Sequence, residues 1–172
     1  MKNSLILSLI LGSSLLSASP FDQGRVGVGV EFGTGEIQSS EVNNRQYDVE
    51  NSYNYSMIGL SAEIFPASGL SIGLSARKWF NAKPETYDMS IPITYYVPIS
   101  HNGLVPYVGG VYRYHYNVGV ENHLNVLGGR LGFAFYVEQA YMTFGWVEEF
   151  SIGDVKIQYN VGYAEFKVGI TF

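Results

Sequence analysis

Glu31, Glu63, Arg77, Arg113, His115, Arg130, Glu149, Glu165 and Lys167 each interrupt a stretch of otherwise apolar and small residues. Charges placed in this way can do three kinds of chemistry. They can pair into a network that fills an interior, because buried charges must be paired. They can line an ion path. They can also activate a nucleophile, which requires a base beside it. The pattern speaks against the last. The histidines are His101, His115 and His123, and none lies two residues before a serine. The chain has no cysteine, which removes thiol nucleophiles, disulfides and Cys-ligated metals. Gly27-Val28-Gly29 and Gly109-Gly110 lack the helix and lysine of a phosphate loop.

The segments that must position these charges alternate with a period of two, which is the signature of strands with unlike faces. Val26, Val28, Val30 and Phe32 oppose Arg25, Gly27, Gly29 and Glu31. Ile58, Leu60, Ala62 and Ile64 oppose Met57, Gly59, Ser61 and Glu63, within a run from Tyr53 to Phe65. Leu70, Ile72, Leu74 and Ala76 oppose Ser71, Gly73, Ser75 and Arg77. In the fourth run Met89, Ile91 and Ile93 oppose Asp88, Ser90, Pro92 and Thr94. The fifth, Leu104 to Tyr116, sends Arg113 and His115 one way and Tyr112 and Tyr114 the other, with the parity left open at Gly109-Gly110. Leu127, Leu131, Phe133 and Phe135 oppose Gly128, Arg130, Gly132 and Ala134 in the sixth run. Met142, Phe144 and Trp146 oppose Thr143 and Gly145 in the seventh. The last sets Ala164, Phe166, Val168, Ile170 and Phe172 against Tyr163, Glu165, Lys167, Gly169 and Thr171, with a parity slip between Val161 and Ala164 that suggests a bulge.

Connections alternate too. Pro66–Gly69, Ser100–Gly103 and Val137–Gln139 are short, while Gly33–Ser52, Asn81–Glu85 and Asn117–His123 are longer. An all-β, eight-stranded antiparallel up-and-down transmembrane barrel predicts this, with tight turns and both termini toward the periplasm and longer loops outside. The large apolar faces would overfill an eight-stranded lumen, whereas Gly and Ser with a few long charges can just fill it. The apolar faces therefore meet lipid, and closure pairs every backbone donor. Aromatic girdles are expected at Phe32, Tyr53, Tyr55, Trp79, Phe80, Tyr87, Tyr112, Tyr114 and Trp146 on the outer side, and at Phe21, Phe65, Tyr107, Tyr141 and Phe172 on the inner. The longest outer loop, Gly33–Ser52, is rich in Asn, Ser, Gln and Glu and identifies no ligand.

Composition agrees with this reading. Of 172 residues, 47% are hydrophobic, 15% aromatic and only 15% charged, which argues against disorder and against a coiled coil. A net charge of −5 with 10 Lys plus Arg leaves no basic surface for nucleic acid. Met1-Lys2-Asn3, the apolar run from Leu5 to Leu16 and the small residues Ser17-Ala18-Ser19 follow the order of a secretory signal peptide, and the apolar run is too short to span a bilayer. The expected division is residues 1–18 as signal peptide, with cleavage near 17–19, and 19–172 as barrel.

Val105-Pro106-Tyr107-Val108-Gly109-Gly110-Val111-Tyr112 resembles the Pro-Tyr-x-Gly-x-Gly strand of the porin-family and OmpA/OmpX-like eight-stranded outer-membrane proteins of Gram-negative bacteria. The terminal Phe166-Lys167-Val168-Gly169-Ile170-Thr171-Phe172 resembles the carboxy-terminal signal read by the barrel assembly machinery, with Phe166, Val168, Ile170 and Phe172 as its apolar positions. The resemblance implies a monomeric, cofactor-free, metal-free barrel in the cell outer membrane, with the lipid bilayer and that machinery as partners. Members of this group include adhesins, structural proteins, narrow pores and lipid-modifying enzymes. Lipid A deacylases among them place a His and a Ser at neighbouring lipid-facing positions, a pattern absent here. The expectation is a non-enzymatic structural or surface protein. Its polar lumen is largely plugged by a network of Glu31, Arg77, Arg113, Arg130, Glu165 and Lys167. A narrow pore is the alternative, and a lipid-modifying enzyme comes third.

Overall fold

The period-two pattern folds as eight strands: β1 (Val26–Asn43), β2 (Gln46–Ala67), β3 (Leu70–Phe80), β4 (Thr86–Tyr96), β5 (Leu104–Asn117), β6 (Leu124–Val137), β7 (Ala140–Ile152) and β8 (Ile157–Thr171). The computed structural model describes residues 19–43, 46–81, 85–97, 103–117, 123–152 and 157–172, and their side chains apart from those of 37–43, 46–53 and 157–160. The signal-peptide assignment and His101 fall outside the described residues.

Each strand pairs antiparallel with its sequence neighbour, and β1 pairs with β8 to close the barrel. The closing ladder runs from Gly27↔Thr171 to Glu41↔Ile157, and Phe172 N–H donates to the Val26 carbonyl at 2.9 Å. Closure leaves no free edge around the wall, which a lipid-embedded sheet requires. Leu60, Leu74, Met89, Leu131 and Phe144 stand exposed on the outside, while Ser61, Ser75, Ser90, Arg130 and Thr143 are buried inside. The polar face is therefore the inner one in every strand.

Two sequence expectations change, and one open question is settled. The stretch Gly33–Ser52 is not a long loop. β1 and β2 continue their ladder to Asn43↔Gln46, with one register shift at Ser39/Ser40, and β8 follows β1 as far as Glu41. Strand 8 carries no bulge at 161–164, because its registers with β1 and β7 run unbroken there. Val161 and Tyr163 both point inward, and the apparent slip arose because an apolar residue occupies an inner position. The second register shift lies instead at Ile64/Ala67, beside the Pro66 turn. In β5 the parity is continuous through Gly109-Gly110, with Val105, Tyr107, Val111, Arg113 and His115 all buried inside.

The tight inner turn between β2 and β3 depends on Gly69, whose φ is +78°. That conformation strongly favours glycine. A Cβ there would also sit 2.5 Å from the Tyr96 carbonyl oxygen.

Candidate functional site: the polar lumen

The lumen is built in tiers, here followed from the inner end, where Gly69 and both described chain ends lie. The lowest tier is aromatic. Phe21, Phe65, Tyr96, Val105, Tyr107, Ala134 and Tyr141 form one buried cluster, with Tyr136 packed against it. Of the aromatics expected in the inner girdle, Phe21, Phe65, Tyr107 and Tyr141 therefore sit inside the barrel, and Phe172 is exposed outside it. Tyr95, Phe133, Phe135 and Phe144 occupy outward positions near this end. On the outer side Phe32, Phe80, Tyr87, Tyr112, Tyr114 and Trp146 face outward, whereas Tyr55 and Trp79 are buried in the lumen. The physical reason is that an aromatic near a strand end satisfies a girdle or a plug equally well, and only its parity decides between them.

Above the aromatic floor come the charges. Lys167 Nζ lies 2.6 Å from Glu63 Oε1, and the Tyr141 hydroxyl donates to the same carboxylate oxygen. These partners stand on β8 and β2, two strands apart across β1. Their meeting is possible because β1 presents Gly27 and Gly29 between them: a Cβ at Gly27 would lie 3.0 Å from Glu63 Cγ, and one at Gly29 2.9 Å from Lys167 Cε. Arg130 donates to Glu165 Oε1 through Nη2 at 2.6 Å and Nε at 3.0 Å, and Tyr107 donates to the same oxygen at 2.9 Å. Glu31 accepts from Ser75 Oγ at 2.8 Å.

The next tier joins β3, β4, β5, β7 and β8. Arg77 Nε donates to Asp88 Oδ1 at 3.1 Å, and Trp79 Nε1 donates to Asp88 Oδ2. Arg113 lies 3.4 Å from Asp88 through Nε and 2.9 Å from Glu149 Oε1 through Nη1. Tyr163 accepts from Arg77 Nη1 at 3.2 Å and donates to Glu149 Oε1 at 2.8 Å. Tyr55, Met57, Trp79, Val111, Val147, Val161 and Tyr163 form the apolar cluster around this tier.

The structure thus brings all six expected network residues into the lumen, with partners that differ from those the sequence suggested. Arg130 meets Glu165 as the parity implied. Arg77 turns to Asp88, its register partner on β4, and Lys167 reaches Glu63, although Glu31 is its register partner. Asp88 was missed as a network member. Its inner-face parity was legible, but its height relative to Arg77 depends on strand stagger.

Among the described residues the buried charges number five cations (Arg25, Arg77, Arg113, Arg130, Lys167) and five carboxylates (Glu31, Glu63, Asp88, Glu149, Glu165). Counted formally, these ten buried charges sum to zero, with Arg25 contributing from the inner mouth. Between the tiers remains a cavity of about 10 Å³, lined by Glu31, Arg77, Arg113, Arg130, Tyr163 and Glu165 among others. That is room for about one water molecule.

His115 is buried in the lumen with its ring edge-on to Trp79 at 5.0 Å, and His123 lies on the outer surface against Tyr114 and Tyr116. No group of three His, Cys, Asp or Glu among the described residues could hold a metal ion. At the outer rim Lys78 Nζ contacts Glu85 at 2.6 Å, and the Tyr87 hydroxyl donates to the same oxygen. These two hydrogen bonds hold the Glu85 carboxyl below its ordinary range. Such an exposed pair adds little stability, and what it adds is lost as pH falls through the lowered value.

No protein-family model matches the chain, and no curated protein matches it. Solved structures do. The amino-terminal β-barrel domain of Pseudomonas aeruginosa OprF aligns with a TM-score of 0.62 at 16% identity, covering 87% of this chain and 98% of that one. Neisserial surface protein A aligns with a TM-score of 0.61 at 16% identity, covering 87% and 100%. The outer membrane protein OprG of Pseudomonas aeruginosa gives 0.54 at 15% identity, covering 88% and 97%. With its closed wall, apolar exterior and polar interior, the chain has the eight-stranded antiparallel barrel fold of bacterial outer-membrane proteins.

Proposed function

We propose that this chain is a monomeric outer-membrane barrel with a closed lumen, serving a structural or surface-interaction role and catalysing no reaction. The observation that carries the reading is the interior in which Arg77, Arg113, Arg130 and Lys167 are ion-paired, with a cavity for about one water molecule between them. In this reading residues 1–18 direct export and are removed. Phe166, Val168, Ile170 and Phe172 present the terminal strand to the assembly machinery, and all four face outward on β8 or at its end. The long β1–β2 hairpin supplies the surface most open to a partner, since such scaffolds carry binding function on their outer connections.

Fractionation of the producing cells tests the location. The protein is expected in the outer-membrane fraction, with gel mobility that changes on heating. A soluble periplasmic protein without heat-modifiable mobility would overturn the proposal.

A further inference from the structure

Ahead of β1 the chain stays with the barrel. The residues from Ser19 to Arg25 fold beneath the inner mouth, outside every strand ladder. Gly69 N–H donates to the Phe21 carbonyl at 2.7 Å, Gly24 N–H to the Phe65 carbonyl at 2.8 Å, and Phe65 N–H to the Arg25 carbonyl at 3.0 Å. Pro20 is buried, and Phe21 retains only 4% of its surface. The Phe21 ring stacks on Tyr96 at 4.1 Å with an interplanar angle of 5°. Tyr136 and Tyr141 meet it edge-on at 5.8 and 5.7 Å, and Phe65 packs at 6.0 Å.

We infer that the Ser19–Arg25 segment is a strap and Phe21 its latch: an aromatic ring bound as an internal ligand in an aromatic box at the inner mouth. The walls of the box belong to the barrel and are fixed by other bonds. Tyr141 is tied to Glu63, Tyr107 to Glu165, and Tyr96 N–H to the Gly69 carbonyl at 2.7 Å. Those walls come from β2, β4, β5, β6 and β7, so the box is complete only when the barrel has closed, and the strap docks last. Stacked and edge-on contacts around one ring are the arrangement aromatic quadrupoles favour. The strap's backbone is held by its three bonds to Phe65 and Gly69, so removal of the ring empties the box and opens the space behind it while the strap's backbone and the wall persist. The ligand class of the box is a single uncharged aromatic ring. The inference concerns access to the space below the ionic tiers and stands apart from whether the lumen conducts.

Because the chain has no cysteine, single-cysteine variants report cleanly. Val105 lies in the same cluster as Phe21, inside the mouth. In full-length protein folded into lipid, Val105→Cys is expected to react slowly with a water-soluble thiol reagent. In the Phe21→Ala, Val105→Cys double variant the rate should rise on the order of a hundredfold, as loss of a packed aromatic allows. Toluene should slow that variant by occupying the empty box, with no effect on the single variant. Heat-modifiable mobility, read on the same samples, confirms that the barrel is closed. If the alanine variant fails to close, Phe21→Leu is measured instead, with an intermediate rate expected. Equal reaction rates with and without the Phe21 ring in closed barrels, or a double variant indifferent to toluene, would overturn the inference.

Discussion

Arg77→Ala is expected to lower the stability of the folded barrel by about 3–5 kcal/mol, the cost of leaving a buried charge without its partner. Asp88 would lose its Arg77 Nε contact at 3.1 Å and keep Trp79 and the longer Arg113 contact, while Tyr163 would lose the Arg77 Nη1 donor. No water can replace the guanidinium cheaply, because the side chains of Arg77 and Asp88 are 3% and 0% exposed. Equilibrium unfolding in lipid vesicles measures the effect. Asp88→Asn combined with Arg77→Ala should recover part of the loss, since it removes the uncompensated carboxylate and thereby couples the two sites. A cost below about 1 kcal/mol for Arg77→Ala, the range of exposed ion pairs, would mean that the tier is hydrated and the lumen open.

The second large effect separates neighbouring residues of β3. Ser75 is buried with its hydroxyl on Glu31, whereas Leu74 is 62% exposed on the outer wall. Ser75→Arg forces a long cation into a position that is 4% exposed, beside Arg77 and Arg130, and should abolish folding into lipid. Leu74→Arg places the same side chain against the bilayer and should cost roughly 2–4 kcal/mol, with the barrel still formed. A yield measurement by heat-modifiable mobility distinguishes them. Should Leu74→Arg abolish folding while Ser75→Arg still forms a closed barrel, the inside and outside of β3 would be wrongly assigned.

Strand number, order and sidedness were legible because each rests on local alternation. Leu74 against Ser75 and Phe144 against Thr143 declare their faces within two residues. The partners in the lumen were not legible, because pairing inside a barrel depends on stagger between strands and on where glycine leaves a passage. Lys167 meets Glu63 only because Gly27 and Gly29 clear the way, and Arg77 crosses its register neighbour Gly59, where a Cβ would collide with the Arg77 side chain. Tyr107 likewise lies over Gly132 and Gly145. The glycines first read as small lumen filler are the seats of the long side chains. The aromatic plug was missed for a related reason. Phe21 precedes the first strand and has no alternating neighbours to fix its side, and Tyr107 and Tyr141 lie near strand ends, where position alone suits a girdle and only parity points them inward. The β1–β2 hairpin was read as loop because its polar residues lack an apolar face, yet its backbone ladder continues to Asn43↔Gln46. A strand that has left the bilayer needs no apolar side.

Closure of the lumen is the claim on which the functional reading stands, and single-channel recording across a planar lipid bilayer tests it most directly. With the aromatic floor, the ionic tiers and a central cavity of about 10 Å³ in place, purified protein should insert without steady conductance steps. Steady, sizeable single-channel currents that scale with the amount of inserted protein would contradict it.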